Sequence, residues 1–357
     1  MNIAIIVKSL KYGGMEKAAC NQSDAFCQSG NNVDLIYFSN KNNVLSPLEK
    51  KVNLIHIDLD KLMKKNFSGK IINIFAKIMN MIFRKSYPLI KGYYTSNIFE
   101  KEFKKLDKVN KYDLILIRGQ GTYEQIWKFK DIRTVRICVN VSKKNYSSLL
   151  DKIMSKCYYN NVRVNCNSEG SKDFYVEKFK RENIKPISLD SIKNPFYKDI
   201  VSELSTKSND GLSIGKYILG VGRLVKTKNF ELLIDSYYNL KKNYNTSLKL
   251  VLVGDGDDKT FLENKCKKYG IIEDVIFTGY QSNPFPWIKN SELIVFTSKI
   301  EGLSNVLIEA MCCKTRILVT ETPGGMLEMM KGTLSDNICK KDKNDIVKKN
   351  KFYFRKR

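Results

Sequence analysis

The sequence predicts an α/β protein built from two Rossmann-like, parallel-sheet domains in series. Short continuous apolar runs rich in Val and Ile alternate with polar helical stretches, the pattern of strands covered by helices on both faces. The alternation stops at VSELSTKSNDGLSIG (201–215), a Ser/Asn/Asp/Gly-rich stretch, and then starts again. The length of 357 residues suits about two domains of roughly 150 each, and 43% hydrophobic residues suffice for two cores. The expected division is an N-terminal domain at 1–200, a linker at 201–215, and a C-terminal domain at 216–357 with a short basic tail from about 340.

The first alternation begins with IAIIV (3–7), a strand followed by a helix from near Met15 to Gly30, where glycine suits the C-terminal turn. Five apolar residues before Lys8 are too few for a signal peptide, so this run is read as a strand. VDLIYF (33–38), VNLIHI (52–57), DLILI (113–117), TVRICV (134–139) and VRVNC (162–166) follow as strands. The second alternation comprises YILGVG (217–222), a helix from about 229, LKLVLVG (248–254), a helix from about 258, VIFTG (275–279), ELIVFTS (292–298), a helix near 303, and RILVT (316–320). The default ligand site of such sheets lies outside the carboxyl ends of the strands.

Composition excludes several classes. No run of about 18 uncharged apolar residues is present, so no membrane-spanning helix is expected. Nine scattered cysteines with no C-x-x-C pair, and one histidine, His56, argue against a zinc site and for reduced thiols in a cytoplasmic setting. The net charge is +25. No nucleic-acid-binding motif is legible, which leaves attraction to an anionic membrane surface or simple Lys-rich bias.

The chemistry gathers at the strand ends of the second domain. Arg223 and Lys228 share the connection after YILGVG, where two cations suit a diphosphate. Asp255 and Asp257, in LVGDGDD, form a D-x-D that could take a metal, but Gly254 and Gly256 favour a tight turn with Asp257 or Asp258 capping the next helix. In SKIEGLSNVLIEAM (298–311), Glu301 and Gly302 precede a helix whose N-terminus can hold an anion. Glu309 lies two turns on, inside an apolar run. Burying an unpaired carboxylate costs several kcal/mol, so Glu309 either pairs with a core arginine, snorkels from a half-exposed helix or accepts a ligand's paired hydroxyls, and Arg223, Lys228 and Gly302 beside it favour the ligand.

These stretches resemble the retaining family-4 glycosyltransferases of bacterial surface-polysaccharide type, which have the GT-B fold. The E-x7-E of EGLSNVLIE carries the resemblance. GGMEKAA (13–19), VGRLVKTKNFELLIDSY (221–237), LVGDGDD (252–258), VIFTGYQSNPFPWI (275–288) and TETPGGMLEM (320–329) support it in order. The resemblance implies two domains facing a crevice, the first on the acceptor side and the second binding a nucleotide sugar. It implies that Arg223 and Lys228 hold the donor diphosphate, that Glu309 binds the ribose hydroxyls, and that Glu301 lies by the donor sugar. Gly302, Leu303 and Ser304 would offer main-chain N–H groups, with Gly13 and Gly14 facing the phosphates and Tyr280 beside the base. Arg223, Lys228 and Glu301 are the catalytic candidates. No cofactor or metal is expected, only a UDP-linked sugar as co-substrate. Relatives place a histidine after the fourth N-domain strand. Here the loop reads IRGQGTYEQ (117–125), and Arg118 and Gln120 are the acceptor-side candidates.

The implied reaction moves a hexose or N-acetylhexosamine to a lipid-linked saccharide with retention, in surface polysaccharide or lipopolysaccharide synthesis. Between 61 and 108, 12 Lys/Arg face three acids, which concentrates the charge there. Within this segment, Ile71, Ile72, Phe75, Ile78, Met79 and Ile82 fall at helical spacing, flanked by Lys70, Lys77, Arg84 and Lys85. This is an interfacial helix at the inner face of the cell membrane or a helix packed on its own sheet. Two other functions stay open. One is a non-catalytic membrane-binding relative, suggested by the few residues after Glu309. The other is a GT-B sugar-nucleotide epimerase, for which no acid/base pair is found.

Overall fold

In the computed structural model, residues 1–11, 13–39, 45–138, 148–207, 214–244 and 246–355 are described. The chain forms two compact units, Met1–Phe196 and Tyr197–Arg357.

The first unit holds seven strands: β1 (Asn2–Ser9), β2 (Asn32–Ser39), β3 (Asn53–His56), β4 (Leu114–Arg118), β5 (Thr134–Cys138), β6 (Arg163–Cys166) and β7 (Ser188–Ser191). All pair in parallel, in the order β3-β2-β1-β4-β5-β6-β7. The helices are α1 (Gly14–Gln28), α2 (Leu59–Lys65), α3 (Phe67–Ile82), α4 (Ser86–Asn110), α5 (Gln120–Ile126), α6 (Leu149–Tyr159) and α7 (Glu169–Glu182). Ile3, Ile5 and Leu35 bury one sheet face, and Ala4, Ile6, Ile36, Ile115 and Ile117 bury the other, which is why these strands read as unbroken apolar runs. The expected strand end at Val139 lies outside the described residues.

The second unit opens with α8 (Lys198–Leu204) and continues with β8 (Tyr217–Val221), α9 (Phe230–Tyr244), β9 (Lys249–Val253), α10 (Lys259–Lys268), β10 (Val275–Gly279), α11 (Phe285–Lys289), β11 (Leu293–Phe296), α12 (Asn305–Cys312), β12 (Ile317–Thr320), β13 (Ile338–Cys339) and α13 (Lys343–Arg355). Its parallel sheet runs β10-β9-β8-β11-β12-β13. In both sheets the strand order reverses between the first and fourth strands of the unit. Those switch points, β1/β4 and β8/β11, are where open α/β sheets bind ligands.

Three features differ from the sequence expectation. Residues 201–204 of the expected linker finish α8, and 208–213 lie outside the described residues. The expected basic tail from about 340 is mostly the helix α13. Its Ile346 and Val347 are buried in the second unit's core, so two apolar side chains dock what its lysines disguise. The helix expected near 303 begins at Asn305, with Ser304 as N-cap.

The 61–108 segment supplies the rest of α2, then α3 and α4. Gly69 and Ala76 are the buried residues of α3. Ile71, Phe75, Ile78 and Ile82 are exposed, as are Ile74 and Met81, while Ile72 and Met79 are half-buried. The stripe is therefore not a core face.

Candidate functional site

The site of the second unit is built by loops that leave β8, β9, β11 and β12 at their carboxyl ends. After β8 the main chain is laced to the next strand: Gly222 N donates to Val253 O at 3.0 Å, and Leu224 N to Asp255 O at 2.9 Å. Gly254 sits at φ 141, and a Cβ there would fall 2.0 Å from Gly222 O, so only glycine lets the two loops approach this closely. Asp255 Oδ1 accepts from Gly256 N at 2.9 Å, the self-contained turn the glycines imply. Asp258 is the N-cap of α10 but makes no side-chain cap bond, so the expected capping role of Asp257 or Asp258 is not seen. Among the described residues no group of three or more His, Cys, Asp or Glu side chains is placed to hold a metal.

On the other side of β8, Lys228 reaches across the switch point toward β11. Its ammonium meets Glu301 Oε2 at 2.5 Å, joining the loop after β8 to the loop after β11. Both side chains are largely covered, at 24% and 19% exposure. Ser298 Oγ donates to the same carboxylate oxygen at 3.1 Å. Thr297 Oγ1 donates to Lys228 O and Asn229 O at 3.2 and 3.0 Å, and Lys299 N to Thr227 O at 2.8 Å. The third loop, after β12, braces Glu301 from its other side. Glu301 N donates to Pro323 O at 3.1 Å, Gly325 N donates back to Glu301 O at 3.2 Å, and Thr322 Oγ1 donates to Ser298 O at 2.9 Å. An ammonium has three donors and Glu301 engages one, so Lys228 can hold the carboxylate and a phosphate oxygen together.

Ser298, Thr297 and Thr322 are not legible in the sequence as members of this site. The FTS at the end of an apolar strand was the available signal, since hydroxyls at such ends serve the loops beyond.

The other candidates fall into place unevenly. Arg223 is exposed on the loop that carries Lys228. Gly302, Leu303 and Ser304 are buried between Glu301 and α12. Tyr280 follows β10 and is 40% exposed, next to the Gly254 N to Gly279 O bond of 2.9 Å. Glu309 is 3% exposed within α12. It has interactions inside the protein, so its burial alone does not require a ligand. Its candidacy rests on lying in α12, the helix that directly follows the Glu301 loop.

In the first unit, Gly13 is the N-cap of α1 and Gly14 its first residue, at the carboxyl end of β1. A Cβ on Gly119 would meet Met15 Sδ at 1.9 Å, so this glycine loop packs on the turn after β4. Arg118 closes β4 rather than lying in the loop after it. It is fully buried, its guanidinium donates to Gln22 and to Asn194 Oδ1 (2.9 Å), and burial lowers its pKa to about 10. Gln120 is exposed and donates to Glu124 Oε1 at 3.2 Å.

Two parallel-sheet Rossmann-like units in series, the second with a cation–carboxylate pair over its switch point, define the GT-B class of fold. Residues 207–351 match the family model "Glycosyl transferases group 1". The chain is similar to the N-acetylgalactosamine-N,N'-diacetylbacillosaminyl-diphospho-undecaprenol 4-alpha-N-acetylgalactosaminyltransferase of Campylobacter jejuni, with 32% identity over 52% of this chain and 49% of the relative. It is also similar to the amylovoran biosynthesis glycosyltransferase AmsD of Erwinia amylovora, with 30% identity over 54% of this chain and 53% of that protein. The chain thus spans about half the length of these relatives. Among solved structures, sucrose-phosphate synthase from Thermosynechococcus elongatus superposes with a TM-score of 0.71 at 15% identity, over 99% of this chain and 89% of that one. Anabaena HepE in complex with UDP and glucose gives 0.67 at 15%, over 98% and 88%.

Proposed function

We propose that the protein is a retaining glycosyltransferase. In this reading it moves a hexose or N-acetylhexosamine from a UDP-sugar to a lipid-linked saccharide during surface polysaccharide or lipopolysaccharide synthesis. The observation that carries the reading is the Lys228–Glu301 pair at the β8/β11 switch point, with Arg223 on the same loop and α12 starting just beyond. Likeness to a family of glycosyltransferases over 207–351, and to a relative named for a diphospho-undecaprenol acceptor, supports it.

The chemistry follows from charge. The bond between the sugar's anomeric carbon and the diphosphate breaks, and the acceptor oxygen bonds to that carbon on the same face. The acceptor proton goes to the departing phosphate, and UDP leaves. Negative charge grows on the diphosphate as the bond lengthens. In this reading Lys228, Arg223 and the N-terminus of α12 stabilise that growth, which is more effective than binding the ground state. Glu301, held by Lys228 and Ser298, lies by the donor sugar. Glu309 takes the ribose hydroxyls, and no metal is needed.

A thermal-shift panel of nucleotides and nucleotide sugars tests this. A UDP-sugar at 100 times its Kd should add about 2.7 kcal/mol of stability, and Glu309→Ala should lose most of it, since a charged hydrogen bond is worth roughly 1.5–3 kcal/mol. Turnover should persist in EDTA. A flat panel rejects the donor assignment, an unchanged Glu309→Ala response removes Glu309 from the site, and activity restored by Mg²⁺ returns Asp255 and Asp257 to metal duty.

The proposed place of work is the membrane surface. Among the described residues no helix is long and apolar enough to cross a membrane. The exposed face of α3, with Phe75 at 52% and Ile82 at 66%, flanked by Lys70 and Lys77, suits insertion into an anionic interface. Replacing Phe75 and Ile82 with Asp should abolish binding to anionic vesicles and spare transfer to a soluble acceptor analogue. Both side chains face solvent, so the fold should survive. Undiminished vesicle binding would remove α3 from the interface.

A further inference from the structure

The loop that carries Glu301 is clasped from a fourth side, by the connection between β13 and α13. Lys341 Nζ donates to Lys299 O at 3.1 Å. Lys299 N donates in turn to Thr227 O at 2.8 Å, so both main-chain groups of Lys299 are held, two positions before Glu301.

We propose that Lys341 is a positioning residue for transfer, holding the limb of the loop that presents Glu301 to Lys228, with α13 as the frame from which it acts. The link to transfer rests on the glycosyltransferase reading. The clasp itself does not.

Lys341 is exposed, so its bond to a carbonyl competes with water and adds little to stability. What selects it is how firmly its main chain is aimed. Just before α13, Asp342 Oδ1 accepts from Asn344 N at 2.9 Å and Asp345 N at 3.1 Å, which caps the helix. Asp345 Oδ2 reaches back to accept from Lys340 N at 2.7 Å. The chain is thus bonded on both sides of Lys341. Each side is also anchored more deeply. Cys339 pairs with Thr320 in the sheet and accepts from Glu321 N at 2.8 Å, while Ile346 and Val347 are buried in the second unit's core.

The clasp complements the one already described. The bonds from Glu301 N to Pro323 O and from Gly325 N to Glu301 O fix Glu301 against the loop after β12. Lys341 fixes the limb that enters it, with only Ile300 between Lys299 and Glu301. A carboxylate whose main chain is held on both sides stays on the Lys228 ammonium while charge develops beside it. Freeing one limb lets it drift, and a shift of about 1 Å at reacting groups can cost roughly 10²-fold in rate. A loop still held at Thr227 and Pro323 drifts less, so the loss expected here is about five- to tenfold.

The wild type, Lys341→Met, Lys341→Arg and Lys349→Met test this. Lys349 is the control: it lies on α13 and donates to Asp336 O at 2.8 Å, outside the Glu301 loop, and its loss removes the same charge. Amide hydrogen exchange over 298–302 should quicken in Lys341→Met and stay at the wild-type rate in Lys341→Arg and Lys349→Met. In steady-state kinetics Lys341→Met should lower kcat by that five- to tenfold with donor KM within about twofold, and Lys341→Arg should restore it. Added to Glu301→Gln, Lys341→Met should cost nothing further, because its effect passes through Glu301. Unchanged exchange in Lys341→Met overturns the clasp. Faster exchange with unchanged kcat, a raised KM alone, an equal loss in Lys349→Met, or losses that multiply with Glu301→Gln each overturn the positioning role. A wild type without turnover on any UDP-sugar would sink the glycosyltransferase reading instead, and the exchange comparison would still decide whether Lys341 holds the loop.

Discussion

Lys228→Ala is expected to lower kcat by about 10²–10³-fold while changing donor KM only a few-fold, because its charge matters most once the diphosphate is leaving. The side chain is held at 2.5 Å from Glu301, and its own main chain is fixed by Thr297. The ammonium therefore needs little reorganisation when charge develops. Removal does a second kind of damage. Glu301 is largely covered and would keep Ser298 as donor while losing its cation. Its charge would then be free to repel the incoming diphosphate. Glu301→Gln should relieve that repulsion, so the double variant should be less impaired than the two single losses multiplied. Steady-state kinetics on the four proteins check both points. A raised KM with unchanged kcat in Lys228→Ala would mean that the cation binds the ground state alone.

The parts of this site that sequence revealed are those carried by residue type at short range. An apolar run ending in Gly-Arg, or in Glu-Gly before a helix, identifies a strand end, and topology then brings the ends together. Lys228 and Glu301 lie 73 positions apart, yet both follow strands that flank the switch point. What failed was long-range and context-dependent. Arg118 looks like any loop arginine until Gln22 and Asn194, 96 and 76 positions away, enclose it. Ile346 and Val347 are outnumbered by lysines in α13, so composition hid a docked helix. The strands β7, reading SLDS, and β13, with two residues, lack the apolar length that marks a strand, because edge positions do not need it. Periodicity showed the stripe on α3, but two helices could have covered or exposed it equally well. Only the packing of Gly69 and Ala76 inward decides which face points out.

Gly324→Ala is expected to be the most damaging single methyl in the second unit. Gly324 holds φ 113, and a Cβ there would fall 1.7 Å from Glu301 O and 2.8 Å from its carbonyl carbon. Both neighbours are backbone, so no side chain can swing away. The bonds from Glu301 N to Pro323 O and from Gly325 N to Glu301 O hold the two loops together at this point. A methyl must either break them or displace Glu301 and, with it, Lys228. Strain and lost bonds together should cost about 3 kcal/mol, lowering Tm by roughly 6–12 °C for a unit of this size. Gly332→Ala is the control. Gly332 also has positive φ, 62, but a Cβ there would meet nothing within 4 Å. Its cost should be the left-handed penalty alone, about 1–2 kcal/mol, with UDP-sugar stabilisation intact. Gly324→Ala, measured at a temperature where it is still folded, should lose that stabilisation as well. Equal Tm losses with equal retained binding in the two variants would show that the contact between the β11 and β12 loops does not position Glu301.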